Sequence, residues 1–242
     1  MDKAIGGHSD KQKALDRIQV FLNETLSENT QVLEVGCGSN SQLKFTKSDQ
    51  VTGIDISKDQ LERNSFLKNK ILGDIQSYDF ESKKYDLVIC WDVLEHLKKP
   101  KLAILNMLSV LNHNGILVIK VPNLLSFKGL FTKFTPHFIH VFYYRKILGR
   151  PLAGTEDRAP FPTFLCVDVI LSKVIDLCNK NGAEMEFFAY FTDIQIKALP
   201  HGRQKVFLFV ANIVSILFQI ISFNYIRSYE KSDYMVVFRK KK

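Results

Sequence analysis

The stretch Leu33-Glu34-Val35-Gly36-Cys37-Gly38-Ser39-Asn40, LEVGCGSN, ends an apolar run on a Gly-x-Gly turn. Such loops let a backbone approach a nucleotide phosphate at a helix N-terminus when the full G-x-G-x-x-G pattern follows a strand. Here the third glycine position is Ser41, and Glu34 would set a carboxylate beside two phosphate charges. A cationic ligand reverses the sign of that interaction, because an ammonium or a sulfonium is attracted to a carboxylate in a partly dry pocket.

Outward from the loop, apolar runs alternate with segments of helical period. Strands are predicted at 31–36, 50–55, 69–74, 85–91 and 115–122, with helical segments at 57–69 and 100–112 between them. Pro100 suits a first helical turn. An amphipathic helix is predicted over 9–27 and another over 163–182, where Gly182 is placed to end it; strands follow at 183–191 and 232–240. Strand, helix, strand in this rhythm implies right-handed crossovers and a parallel sheet covered on both faces.

Five motifs in register, VLEVGCGSN, VTGIDIS, GDIQ, YDLVICWDVLEHL and LNHNGILVIKVPN, resemble those of class I S-adenosylmethionine-dependent methyltransferases over roughly residues 30–123. The resemblance implies an α/β, Rossmann-like sheet of seven mostly parallel strands with an antiparallel last strand, in one domain over 1–242. Two helical insertions elaborate it, an acceptor-side insert at 123–162 and an apolar one at 195–231. It also implies a cofactor set: Gly36, Cys37 and Gly38 under the methionine moiety, with Glu34 near its amino group. Asp55 would accept from the ribose hydroxyls with Ile56 beside it. Asp74 would accept from the adenine amine with Ile75 against the ring, and Cys90 and Trp91 would wall the methionine side. Asn40 stands where many members have a third glycine. The residues also have simpler readings, in which Asp55 and Asp74 cap the elements that follow and Trp91 packs in the core.

Asp92, Glu95 and His96 fall at i, i+3 and i+4 in WDVLEHL, on one face if that segment is helical. The stretch resembles ubiquinone-pathway O-methyltransferases, in which the equivalent residues are assigned to a divalent metal. The favoured reading is instead a capping box, Asp92 at the N-cap and Glu95 at N3, with no metal. His96 is a candidate general base because imidazole titrates near neutrality; His137 and His140, in the insert, are candidates for base or substrate contact.

Ordinary fractions of apolar (46%) and charged (24%) residues argue against disorder. Four dispersed cysteines without a C-x-x-C pair, and no signal peptide, fit reduced thiols in a cytoplasmic protein rather than a disulfide frame or zinc site. Charge is uneven: 15 Lys and Arg meet 16 Asp and Glu before residue 120, and 18 meet 9 from there on. The 120–150 segment carries Lys120, Lys128, Lys133, Arg145, Lys146 and Arg150, no acid, and Phe at three- to four-residue spacing. The run 206–223 is uncharged and long enough to span a bilayer, yet both strands that bracket it belong to one sheet. Asn212, Ser215, Gln219 and Ser222 make a narrow polar stripe along it, flanked by Arg203, Lys205, Arg227 and Lys231. Two placements satisfy this pattern: a helix in the plane of an anionic membrane, peripheral at its inner face, or a helix packed on protein or in a homodimer interface.

The expected activity is methyl transfer to a hydroxyl or carboxyl of a small, lipophilic or glycolipid-like acceptor. The alternatives are an RNA methyltransferase, suggested by the basic second half, and a non-catalytic cofactor-binding protein of a membrane or scaffold. Nucleic acid is disfavoured because no amine-methylating N/D-P-P-Y/F motif or separate RNA-binding module is visible.

Overall fold

Tyr85–Trp91 (β5) lies at the centre of the sheet in a computed structural model of the chain, and its burial explains its composition. Leu87, Ile89 and Trp91 enter one apolar cluster and Val88 and Cys90 the other, because successive side chains point to opposite faces. A strand covered on both sides therefore reads as an apolar run, here unbroken from Leu87 to Trp91. The structure describes residues 8–25, 27, 29–40, 50–155, 157–192 and 231–241, with 205, 209, 213, 214, 216, 217, 220 and 221.

The other strands are β1 (His8–Asp10), β2 (Val32–Val35), β3 (Val51–Asp55), β4 (Asn69–Leu72), β6 (Leu111–Pro122), β7 (Ala183–Thr192) and β8 (Asp233–Lys240). Their order is β1-β7-β8-β6-β5-β2-β3-β4. Every neighbouring pair is parallel except those of β8, which runs antiparallel to both β6 and β7. The seven expected strands all form; β1, a polar triplet added at the edge beyond β7, makes the sheet eight-stranded. Helix α1 (Lys11–Thr25) covers one face through Ala14, Ile18 and Leu22. Helices α3 (Pro100–Ser109) and α6 (Leu171–Lys180) cover the other through Ile104, Met107, Val174 and Cys178.

Two helices are shorter than their periodicity suggests. Helix α2 (Lys58–Arg63) starts at Ser57, whose hydroxyl caps the Gln60 N–H, and stops at Asn64. The buried Asn64 amide donates instead to the Gly38 carbonyl at 3.1 Å, and its oxygen accepts from Leu67. Residues 163–166 are not helical, since the Phe164 and Leu165 amides both donate to the Glu95 carbonyl (2.8 and 2.9 Å). Within residues 123–162, α4 (Phe127–Phe134) is followed by α5 (His137–Phe142), which runs into a π-helical turn, 143–147.

The chain leaves β2 toward β3 and β4 on one side and leaves β5 toward β6 on the other. That reversal opens a crevice at the carboxyl ends of β2 and β5, where ligands of open α/β sheets bind.

Candidate active site

The glycine loop sits in that crevice. Gly36 (φ +64°) donates to the Ile54 carbonyl at 2.8 Å, and Gly38 (φ +51°) donates to Asp55 Oδ2 at 2.9 Å. A Cβ on Gly36 would lie 2.2 Å from Val93 Cγ2, so both conformation and space demand glycine there. Between them, Cys37 turns into the core, where burial first and then Asp55 and Glu34 push its thiol up to about 12. The loop thus offers backbone, not a thiolate. Glu34 is buried beneath it.

Asp55 closes β3, and its other oxygen accepts the Ser57 N–H at 2.9 Å. The cap of α2 is Ser57 itself. Ile56 beside it is an apolar side chain 73% exposed. One strand further, the Gly73 amide donates to the Asp55 carbonyl. Asp74 follows, its carboxylate accepting from Gln76 at 2.8 Å, and Ile75 is buried behind it. The structure therefore brings Gly36, Gly38, Asp55 and Asp74 to adjacent strand ends. Cys90 and Trp91 also lie there, with side chains packed into opposite cores.

The Asp92–His96 segment departs from the capping-box expectation. Asp92 adopts φ +53° and the helical part is one short turn, Leu94–His96, with Val93 at its N-cap and no side-chain cap bond. Asp92 instead pairs with Lys120, the residue beside Trp91 in the β5–β6 register. Lys120 is buried and also reaches Asp233 Oδ1 at 2.9 Å, while Lys128 holds Asp233 Oδ2 at 2.8 Å and the Ser232 hydroxyl donates to the same oxygen. Burial alone would raise the Asp233 carboxyl; Lys120 and Lys128 outweigh it and bring it down to about 2. Glu95 shows the opposite balance. Burial, then Asp92, push its carboxyl well above the usual range, and its Oε2 has no hydrogen-bond partner among the described residues. Among the described residues no set of three His, Cys, Asp or Glu side chains is arranged to hold a metal ion.

His96 Nδ1 lies 2.8 Å from the Pro162 carbonyl, which can only accept, so Nδ1 carries the proton and Nε2 a lone pair. Burial lowers the imidazole below its ordinary 6.5, so the neutral form dominates at pH 7. His137 lies close enough to His96 to lower it further by its charge. His140 is engaged elsewhere, 2.8 Å from the Thr135 hydroxyl and edge-on to Phe131. A cavity of about 510 Å³ opens beside His137, lined also by Phe138, Val141, Phe142, Arg145 and Lys146.

Residues 7–147 match the model of a family described as methyltransferase domain. The chain belongs to this family. It is 29% identical over 136 residues to the mitochondrial ubiquinone biosynthesis O-methyltransferase of Candida albicans, covering 51% of this chain and 40% of that protein. The chain spans about two fifths of the first curated relatives it matches. Among solved structures, the [4+2]-cyclase SpnF superposes with a TM-score of 0.55 at 16% identity, covering 97% of this chain and 83% of that one. A SAM-dependent methyltransferase from Archaeoglobus fulgidus gives 0.50 at 16% identity, covering 96% and 95%. These two likenesses speak for the fold alone.

Asp233 and Asn64 escaped the sequence reading, which counted Lys120 only among the basic residues of 120–150. A lysine inside the apolar strand GILVIKVP was the available signal, since a buried ammonium needs buried counter-charges.

Proposed function

We propose that the protein is an S-adenosylmethionine-dependent methyltransferase that acts on a hydroxyl of a small lipophilic acceptor met at an anionic membrane surface. The residues present fit the cofactor. Gly36, whose Cβ would collide with Val93, and the left-handed Gly38 let backbone approach the ligand, Asp55 and Asp74 offer acceptors at successive strand ends, and Glu34 places a carboxyl below. Asp55 would hold ribose hydroxyls, Asp74 the adenine amine, and Ile56 and Ile75 the ring faces. When bound, the cofactor supplies a methyl group on a sulfonium, already a good leaving group.

The observation that carries the acceptor assignment is the state of His96. A neutral imidazole with Nδ1–H fixed on Pro162 leaves Nε2 to accept a proton, which a hydroxyl acceptor needs and a carboxylate does not. His137 borders the neighbouring cavity and is placed to contact the acceptor. The rest of the work is positioning and exclusion of water. Relatives named for ubiquinone O-methylation agree with a small hydroxyl acceptor and weigh against RNA.

Support for a lipophilic acceptor comes from apolar surface. The described residues of the 206–223 run are helical, and Phe209, Ile213, Ile216, Leu217, Ile220 and Ile221 are all exposed, spaced as one helical face. The polar stripe Asn212, Ser215, Gln219 and Ser222, with Arg203 and Arg227, lies outside the described residues. Phe131, Phe134, Phe138 and Phe142 are likewise exposed among basic residues. No helix among the described residues is long and apolar enough to cross a membrane. An in-plane apolar face with cationic neighbours suits anionic lipid.

The test is methylation of a prenylated catechol presented in phosphatidylglycerol vesicles. Turnover that falls at least tenfold in His96→Gln supports the reading; equal turnover in that variant refutes the assignment of the base.

A further inference from the structure

Residues 157–165 join two halves of the site that the sheet keeps apart. At one end Asp157 accepts from the Ser57 hydroxyl at the start of α2, and its carbonyl accepts from Arg63 at 3.3 Å. At the other, the Pro162 carbonyl holds His96, and the Phe164 and Leu165 amides hold the Glu95 carbonyl. Ser57 follows β3, and Glu95 and His96 follow β5; in the sheet order β2 lies between them. Neighbouring strands are about 4.8 Å apart, so the crossing is about 10 Å, and the five residues from 157 to 162 reach about 17 Å when extended. The anchors of the segment therefore lie on either side of β2, at whose end the Gly36–Gly38 loop lies.

A chain of hydrogen bonds links the segment to the glycine loop. The Gly38 amide donates to Asp55, Asp55 also accepts from the Ser57 amide, and the Ser57 hydroxyl donates to Asp157. We infer that Asp157 is a positioning residue that latches this strap across the cofactor crevice. The latched strap retains the cofactor and presents the Pro162 carbonyl that fixes the His96 tautomer. The inference rests on the cofactor reading and on His96 as the base. Opening at Asp157 frees the path over the glycine loop and releases the proton position on His96 together. Cofactor exchange and assembly of the base are thereby coupled through one segment.

The experiment measures S-adenosylhomocysteine release by stopped flow, with amide exchange of Phe164 and Leu165 and the ¹⁵N tautomer signature of His96 in the same variants. Asp157→Ala is expected to speed release about fivefold, in the range for loss of one hydrogen bond. It is also expected to deprotect both amides and mix the tautomers. Asp157→Asn, which keeps an acceptor for Ser57, is expected to restore all three. Unchanged release and exchange in Asp157→Ala would overturn the latch while leaving the cofactor site intact. Failure of the wild-type protein to bind S-adenosylhomocysteine would overturn the cofactor reading and the latch with it.

Discussion

Replacing Lys120 by Met removes a buried ammonium without changing the length of the stem that packs between β5 and β8. Its partner Asp233 is fully buried, and among the described residues Lys128 would remain to balance it. The carboxyl of Asp233 is held at about 2 against an ordinary 3.8, a stabilisation of about 2 kcal/mol at neutral pH, since one unit is about 1.4 kcal/mol. Asp92, the other partner, has a side chain 39% exposed, so solvent screens it and it contributes little. Removing one member of a buried pair costs about 3–5 kcal/mol, because the charge left behind is undercompensated. Lys120→Met is therefore expected to lose about that much at pH 7. The sign of the pH dependence follows from the lowered folded-state value. The wild-type contribution is present above 3.8 and is lost as pH falls through about 2, so the gap between the two proteins should narrow toward pH 2. Urea unfolding at pH 7 and pH 3, with Asp233→Asn and the double variant, measures this. The double variant should be less destabilised than the sum of the singles. A Lys120→Met loss below about 0.5 kcal/mol at pH 7, typical of an uninvolved surface site, or a strictly additive double variant would refute the reasoning.

Asp55→Ala should weaken S-adenosylhomocysteine binding by about 1.5–3 kcal/mol, the range for hydrogen bonds to a charged group; calorimetry giving unchanged affinity would remove Asp55 from the cofactor site. Because His96 is held below 6.5, kcat/KM should be level above pH 7 and fall only in more acid solution, and a profile still rising through pH 8 would assign the base to another group. Ile216→Glu and Phe209→Glu should abolish flotation with anionic vesicles while leaving folding intact, and wild-type binding should weaken with salt, since exposed charges are screened over about 10 Å at 0.1 M. Unfolding of these variants, or their dissociation from a dimer, would place that helix in a core or subunit interface instead.

The legible parts of the fold were those whose local pattern and tertiary role agree. Tyr85–Trp91 was readable residue for residue because Leu87–Trp91, buried on both faces, is an unbroken apolar stretch and Asp86 interrupts it only at the start. Asp55 and the glycine loop were readable because strand-end carboxylates and left-handed glycines leave a short-range signature. His8–Asp10 carries no strand propensity; pairing with β7 makes it a strand. Asp92 and Glu95 have the spacing of a capping box, but Lys120, 28 residues on, captures the Asp92 carboxylate and the backbone turns to φ +53°. A contact at that separation leaves no trace in a periodic pattern. The 157–165 strap, with two prolines and no repeat, likewise gains its meaning only from where its ends attach.

The most direct test of the account is to incubate the protein with methyl-labelled S-adenosylmethionine and a total membrane lipid extract, and then to follow the label by mass spectrometry before and after mild alkaline hydrolysis. Transfer to a lipophilic hydroxyl predicts label in an organic-soluble product that survives alkali as a methyl ether, and its loss in His96→Gln. Label released by alkali as from a methyl ester, or label found only when RNA is supplied, would contradict it.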